Sequence, residues 1–177
     1  NPVKYIFGKG AVQSLGGHAA SLGKKALLVT TPGKTRALYG QMIMDLLAQA
    51  DLECVLFTEV QPNPLASSVR RGADVAAQTG CDLVIGLGGG SAMDTAKGIA
   101  FLAGKEGDIF DYITGKRTGT TALPIICITT TAGTGSEGNS TAVFTNDVTL
   151  DKKGLVNPLI FPKVSIIDSE FMATLPK

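Results

Sequence analysis

The sequence has no tryptophan, one histidine (His18) and three cysteines among its 177 residues. Cys54, Cys81 and Cys127 are widely spaced and form no CxxC. An odd, scattered set argues against a disulfide framework and fits a reducing, cytoplasmic setting, with each thiol packing as a small hydrophobe. One histidine and no clustered cysteines give no recognisable His/Cys metal-ligand spacing. His18 is read as a surface or structural residue. Neither sign of charge dominates: 16 basic and 15 acidic residues leave a net charge of +1. No Lys/Arg stripe runs along any segment, which excludes nucleic acid as an expected partner. No apolar run approaches the roughly 18 residues of a membrane span. The start, Asn1-Pro2-Val3-Lys4, carries neither a signal peptide nor an initiator Met.

What is abundant is glycine, 22 residues, in a chain that is 44% hydrophobic and 18% charged. That profile is globular, and residues 1–177 are long enough for one domain with its own core. Short apolar runs alternate with amphipathic stretches. Strands are expected at Val3–Phe7, Lys25–Thr30, Leu52–Phe57, Leu83–Leu87, Pro124–Thr129 and Val164–Asp168. Helices are expected at Ala11–Leu22, Arg36–Ala50, Leu65–Thr79 and Ser91–Ala103. Asp108–Ile113 is short and ambiguous. Ala142–Phe144 and Gly154–Val156 flank a polar turn and predict a hairpin excursion. Continuous runs such as Ala-Leu-Leu-Val and Ile-Ile-Cys-Ile belong to strands buried on both faces. Strands separated by helices give a doubly wound parallel α/β sheet with right-handed crossovers. In such sheets ligands bind beyond the carboxyl ends of the strands.

Two of those ends carry chemistry. The first reads Gly86-Leu87-Gly88-Gly89-Gly90-Ser91-Ala92-Met93-Asp94-Thr95-Ala96-Lys97. A buried strand runs into three glycines and then a helix. Without Cβ atoms the backbone can approach a ligand closely, and the helix start offers N–H groups and a positive dipole end. Together they make a pyrophosphate site. The register matches neither GxGxxG nor GxxxxGK[ST]. Ser91 and Asp94 also read as a capping box with Asp in the Glu position. The second end is Thr129-Thr130-Thr131-Ala132-Gly133-Thr134-Gly135-Ser136-Glu137, whose hydroxyls can line a nucleotide pocket.

Taken together, the two loops resemble the nucleotide-binding half of the iron-containing (group III) alcohol dehydrogenase family. Its GGGSxxDxAK loop appears as Gly88 to Lys97, and its TTxGTGSE loop as Thr130 to Glu137. Tyr5-Ile6-Phe7-Gly8, Pro62-Asn63-Pro64 and the stretch from Lys152 through Pro162 to Asp168 match in register, so the likeness covers essentially the whole chain. The resemblance implies a Rossmann-like domain that binds NAD or NADP for hydride transfer between nicotinamide and a small alcohol or aldehyde. It implies that Gly88, Gly89, Gly90 and Ser91 hold the pyrophosphate, with Asp94 near the same loop. Thr130, Thr131 and Thr134 would line the adenosine side, and Asn63 would sit beside the ribose. Lys152, with Lys153 adjacent, would reach a ribose hydroxyl. Ser136 and Glu137 could face the cleft and are given no catalytic role. A homo-oligomer is expected, for which apolar stretches such as Val3–Phe7 could pair.

Two departures stand out. Family members that use NAD often carry Asp after the first long parallel strand, and here Thr31 stands in that position. An Asp would repel a 2′-phosphate and Thr does not, so NADPH is at least tolerated. The family's metal, Fe(2+) or Zn(2+), is held by one Asp and three His on an all-helical second domain, expected after residue 177. These residues alone should therefore be inactive, as one portion of a larger enzyme. Two alternatives remain: a stand-alone dinucleotide-binding module, or a relative of the glycerol dehydrogenases and maleylacetate reductases.

Thr31→Asp is expected to weaken NADPH far more than NADH in a fluorescence titration of nicotinamide binding. Equal effects on the two coenzymes would remove Thr31 from the ribose site.

Overall fold

The structure, a computed structural model, describes residues 2–173. Leu175-Pro176-Lys177, where a second domain is expected to begin, lie outside the described residues. Eight strands are present: β1 (Lys4–Phe7), β2 (Lys25–Thr30), β3 (Glu53–Phe57), β4 (Leu83–Gly88), β5 (Ile125–Thr129), β6 (Thr141–Thr145), β7 (Lys152–Val156) and β8 (Val164–Ile167). Five α-helices connect them: α1 (Leu15–Ala20), α2 (Gln41–Ala48), α3 (Ala66–Thr79), α4 (Gly90–Leu102) and α5 (Ile109–Ile113). The helix expected over 36–50 opens instead as a π-type turn at Arg36–Gly40 before α2 begins.

Six strands form one sheet in the order β1-β8-β5-β4-β2-β3, and every pair is parallel. Every residue of β4 and of β5 is buried, because helices cover both faces. Alternate side chains along each strand feed two separate cores. Leu27, Val29, Val84 and Cys127 pack with Val69 and Ala73 of α3 and with Ala96 and Ile99 of α4. Ala26, Leu28, Ile85 and Ile126 pack with Leu15 of α1 and with Ile43 and Leu47 of α2.

The remaining two strands form the expected hairpin, paired from Thr141↔Val156 to Thr145↔Lys152. It folds back onto the helices. Phe144 is fully buried, the Thr145 N–H donates to the Pro64 carbonyl at 2.8 Å, and Asp147 accepts from the Ser67 N–H at 3.0 Å. The Asp147 carboxylate thereby satisfies a donor in the first turn of α3 and sits where the helix dipole favours it.

Asp168, expected to close the last strand, lies just past β8 and is fully buried. Its carboxylate accepts N–H bonds from Gly10 at 3.2 Å, Val12 at 3.1 Å and Glu170 at 3.1 Å. It therefore ties the turn after β1 to the end of the sheet. Asp168→Ala leaves those donors without the carboxylate and is expected to lower stability by about 2–4 kcal/mol. The check is the urea midpoint, which should fall with an unchanged denaturant slope.

Candidate coenzyme site

The side to which the crossovers lead reverses between two neighbouring strands, β2 passing to β3 and β4 to β5. β2 leaves toward the face that carries α2, and β4 leaves toward the face that carries α4. The two exits part company and open a crevice at the carboxyl edge of the sheet, the place where open α/β sheets bind ligands. Thr30 of β2 pairs in register with Leu87 of β4, so Thr31 and Gly88 flank the crevice.

On the β4 side the backbone is shaped for close approach. Gly88 has φ 145°, a conformation that L side chains rarely adopt, and a Cβ there would lie 2.9 Å from the Ala92 Cβ. Gly89 is the N-cap of α4, with φ −83° and no side-chain cap. The capping-box reading of Ser91 and Asp94 is therefore corrected. The helix starts earlier than that box requires, Ser91 is already inside the first turn, and Asp94 has other partners. The amides of Ala92 and Met93 bond to the Gly89 carbonyl, and the first turn of α4 faces the crevice.

The threonine loop forms the opposite wall. The Thr130 N–H donates to the Gly88 carbonyl at 3.1 Å, which holds the two loops side by side. Thr131 stands so near Gly89 that an added Cβ would meet its Oγ1 at 3.2 Å. Thr134 stands over Gly90, where a Cβ would meet its Cγ2 at 2.8 Å. Gly88 is thus required by the turn and Gly90 by its packed neighbour, while at Gly89 a Cβ would be tight against Thr131.

A cavity of about 170 Å³ continues the crevice on the α3/α4 side. Asn63, Gly90, Ser91, Asp94, Thr134 and Lys152 line it, with Val143 and Thr145 of the hairpin. Asn63 sits at φ 57° and accepts a 2.8 Å hydrogen bond from Lys152 Nζ, so loop and hairpin meet across the cavity. Six predicted residues are thereby gathered from four separate segments. Gly88, Gly89, Thr130 and Thr131 lie at the adjoining strand ends, and Thr31 lies on the far side of the crevice, outside the cavity lining. A larger cleft of about 440 Å³ lies between α5 and β7, on Tyr112, Arg117, Gly154 and Asn157. Neither the glycine loop nor the threonine loop reaches it, so size alone does not mark the site.

The most heavily bonded residue of this region was given no role by sequence reasoning. Lys97 is fully buried, and its ammonium donates to Ser136 Oγ at 3.1 Å, to the Asn139 carbonyl and Oδ1 at 2.9 and 3.0 Å, and to the Thr141 carbonyl at 2.9 Å. Ser136 in turn donates to Asp94 Oδ1 at 2.6 Å, and Asp94 Oδ2 accepts from the Val143 N–H at 2.9 Å. Burial lowers the Lys97 pKa, opposed by nearby charges, and raises that of Asp94, opposed by the Ser136 and Val143 hydrogen bonds and the Lys97 charge. A sequence signal was present: a lysine between Ala96 and Gly98 on a helix that otherwise presents small and apolar residues to the core.

Burial raises the pKa of all three thiols. Burial pushes Cys54 up to about 11 and Cys127 up to about 12, far from a thiolate at neutral pH. Among the described residues no three His, Cys, Asp or Glu side chains converge where they could hold a metal ion, and no helix is long and apolar enough to cross a membrane.

The family model for iron-containing alcohol dehydrogenase matches residues 2–169. A probable NADH-dependent butanol dehydrogenase of Bacillus subtilis is 40% identical over 179 residues, covering 100% of this chain and 46% of that protein. The NAD-dependent methanol dehydrogenase of Bacillus methanolicus is 36% identical, covering 99% and 46%. Among solved structures, an archaeal alcohol dehydrogenase from a Red Sea brine pool superposes with a TM-score of 0.94 at 37% identity, over 98% of this chain and 46% of its own. A sulfoacetaldehyde reductase from Bifidobacterium kashiwanohense, solved with NAD+, gives 0.86 at 33%, over 99% and 46%. The chain spans about half the length of the curated relatives it matches. With the family model matched along nearly its whole length and the glycine and threonine loops facing one crevice, the chain belongs to the iron-containing alcohol dehydrogenases.

Proposed function

We propose that this chain is the coenzyme-binding half of an NAD(P)-dependent alcohol dehydrogenase that acts on a small alcohol or aldehyde. The observation that carries the reading is the crevice between β2 and β4, floored by Gly88–Gly90 and walled by the threonine loop. A dinucleotide is long and doubly anionic at its centre. The first turn of α4 supplies N–H donors and a positive dipole end for that centre. Gly89 and Gly90 let the pyrophosphate lie against the backbone, and Ser91 adds a hydroxyl. Asp94 borders this part of the cavity.

The two halves of the coenzyme then run to either side of the glycine loop. Thr31, Thr130 and Thr131 serve the adenosine end. Thr134, expected at the adenosine side, instead lines the cavity with Asn63 and Lys152. That cavity takes the other ribose, with amide, hydroxyl and ammonium groups suited to sugar hydroxyls. Thr30 supports a ligand at this edge. Its Oγ1 is buried at the end of β2 with no hydrogen-bond partner among the described residues, an uncommon state where buried polar groups are otherwise paired. Thr31 carries no negative charge, so a 2′-phosphate meets no carboxylate there, and NADP is as admissible as NAD.

Bound in this way, the nicotinamide supplies hydride chemistry. This chain binds and orients it: the glycine loop fixes the pyrophosphate, and Lys152 and Asn63 fix the adjoining ribose. The family's iron does not fit the residues described here, which offer no convergent ligand set, and no step is derived through it.

Gly89→Val tests the reading. The native φ is ordinary, so the backbone accepts the change, while the branched side chain enters the space between Thr131 and the phosphate path. Titration with NADH, followed by nicotinamide fluorescence, should saturate for the wild type and show no binding for the variant. Undiminished affinity in the variant would mean that the glycine loop does not hold the coenzyme.

A further inference from the structure

The groove's walls come from two stretches far apart in sequence: the first turns of α4, and the loop at 130–139 with the hairpin that follows it. Something must hold them in register. The geometry points to Lys97 as the positioning residue that does so, acting with Asp94 through Ser136 and Asn139 and touching no coenzyme itself. This inference rests on the coenzyme reading above.

Three properties carry it. Lys97 projects from the second turn of α4 yet is fully enclosed, and its three N–H bonds are shared among four acceptors at 2.9–3.1 Å. No proton of that ammonium remains for a ligand unless an existing bond breaks. Its acceptors are also not a random set. Ser136 belongs to the threonine loop, Asn139 to the link that follows, and Thr141 to the first residue of β6. Finally, Asp94 repeats the pattern from one helical turn earlier, taking Ser136 from the loop and the Val143 N–H from β6. Both carboxylate oxygens accept from protein donors even though Asp94 borders the cavity.

Asn139 is the hinge of this arrangement. Its Oδ1 accepts from Lys97 and also from the Thr141 N–H at 2.9 Å, and its Nδ2 donates to the Gly135 carbonyl at 3.0 Å. One side chain thus closes the loop back on itself and seats it on the buried ammonium. Released from Lys97, the loop would no longer hold Thr134 over Gly90, while the far end of the hairpin keeps Lys152 opposite Asn63 through the Thr145 bond to the Pro64 carbonyl. The adenosine end would be untouched, because Thr130 is held by the Gly88 carbonyl, Thr131 by the Thr129 hydroxyl, and Thr31 lies across the crevice.

The test compares wild type, Lys97→Met and Asn139→Ala, each titrated with NADH and separately with AMP. Hydrogen exchange at residues 133–143 is followed in the ligand-free proteins. Lys97→Met is expected to weaken NADH by about tenfold or more, to leave AMP within about twofold, and to speed exchange in 133–143 while β2, β4 and β5 stay protected. Asn139→Ala, a half-buried position away from the core, should show the same split in milder form, about threefold. If Lys97→Met does not fold, Asn139→Ala alone decides. Wild-type NADH affinity in either folded variant overturns the inference, as does equal weakening of AMP and NADH. A wild-type protein that binds neither ligand overturns the coenzyme reading instead, and the exchange comparison still reports whether Lys97 holds the loop.

Discussion

Neighbouring strands that send their chains to opposite faces cannot both close over the gap between them. In this protein β2 and β4 are those strands, and the crevice they leave is a consequence of strand order alone. The rest of the site follows from what must sit at its rim. The exit of β4 has to turn into α4 at once, which calls for glycine at φ 145° in Gly88 and for the absence of side chains at Gly89 and Gly90. The exit of β5 has to lie against that turn, and the bond from Thr130 to Gly88 fixes it there. An anion site is then present before any ligand arrives, since a buried strand running into a helix start aims N–H groups outward.

What the sequence reveals here is whatever depends on neighbours in the chain. Strands buried on both faces read as unbroken apolar runs, so Lys25–Thr30 and the core of β5 are plain. The glycine loop is plain for the same reason: strand, turn and helix start are contiguous. The hairpin could be placed from its two apolar arms, although its bounds move outward to Thr141–Thr145 and Lys152–Val156. Lys152 and Asn63, 89 residues apart, could be brought together only by family likeness, and the structure joins them directly.

What stays hidden depends on partners about 40 residues away. Ser91 and Asp94 satisfy the local pattern of a cap, and nothing local contradicts it. The pattern loses because the Asp94 carboxylate meets Ser136 and the Val143 N–H when the loop and hairpin fold back. Lys97 is hidden in the same way. A lysine on a helix is ordinarily a solvated charge. Only the arrival of Asn139 and Thr141 makes burial tolerable, since an enclosed ammonium without acceptors costs several kcal/mol.

That cost explains why a charge is a better fastener here than an apolar side chain. Hydrophobic contact is non-directional, and a methionine at position 97 could fill the same space with the loop displaced by an ångström. An ammonium enclosed by a serine hydroxyl, two main-chain carbonyls and an amide oxygen tolerates little displacement, because each lost bond leaves charge uncompensated in a poorly polarisable interior. The network contributes to a defined position of the loop more than to overall stability. Positions matter most where a flexible, glycine-rich connection must present Thr134 and Ser91 to the same ligand. The glycines that admit a phosphate also loosen the chain that holds it, and the buried Lys97–Ser136–Asp94 chain restores the lost order from beneath.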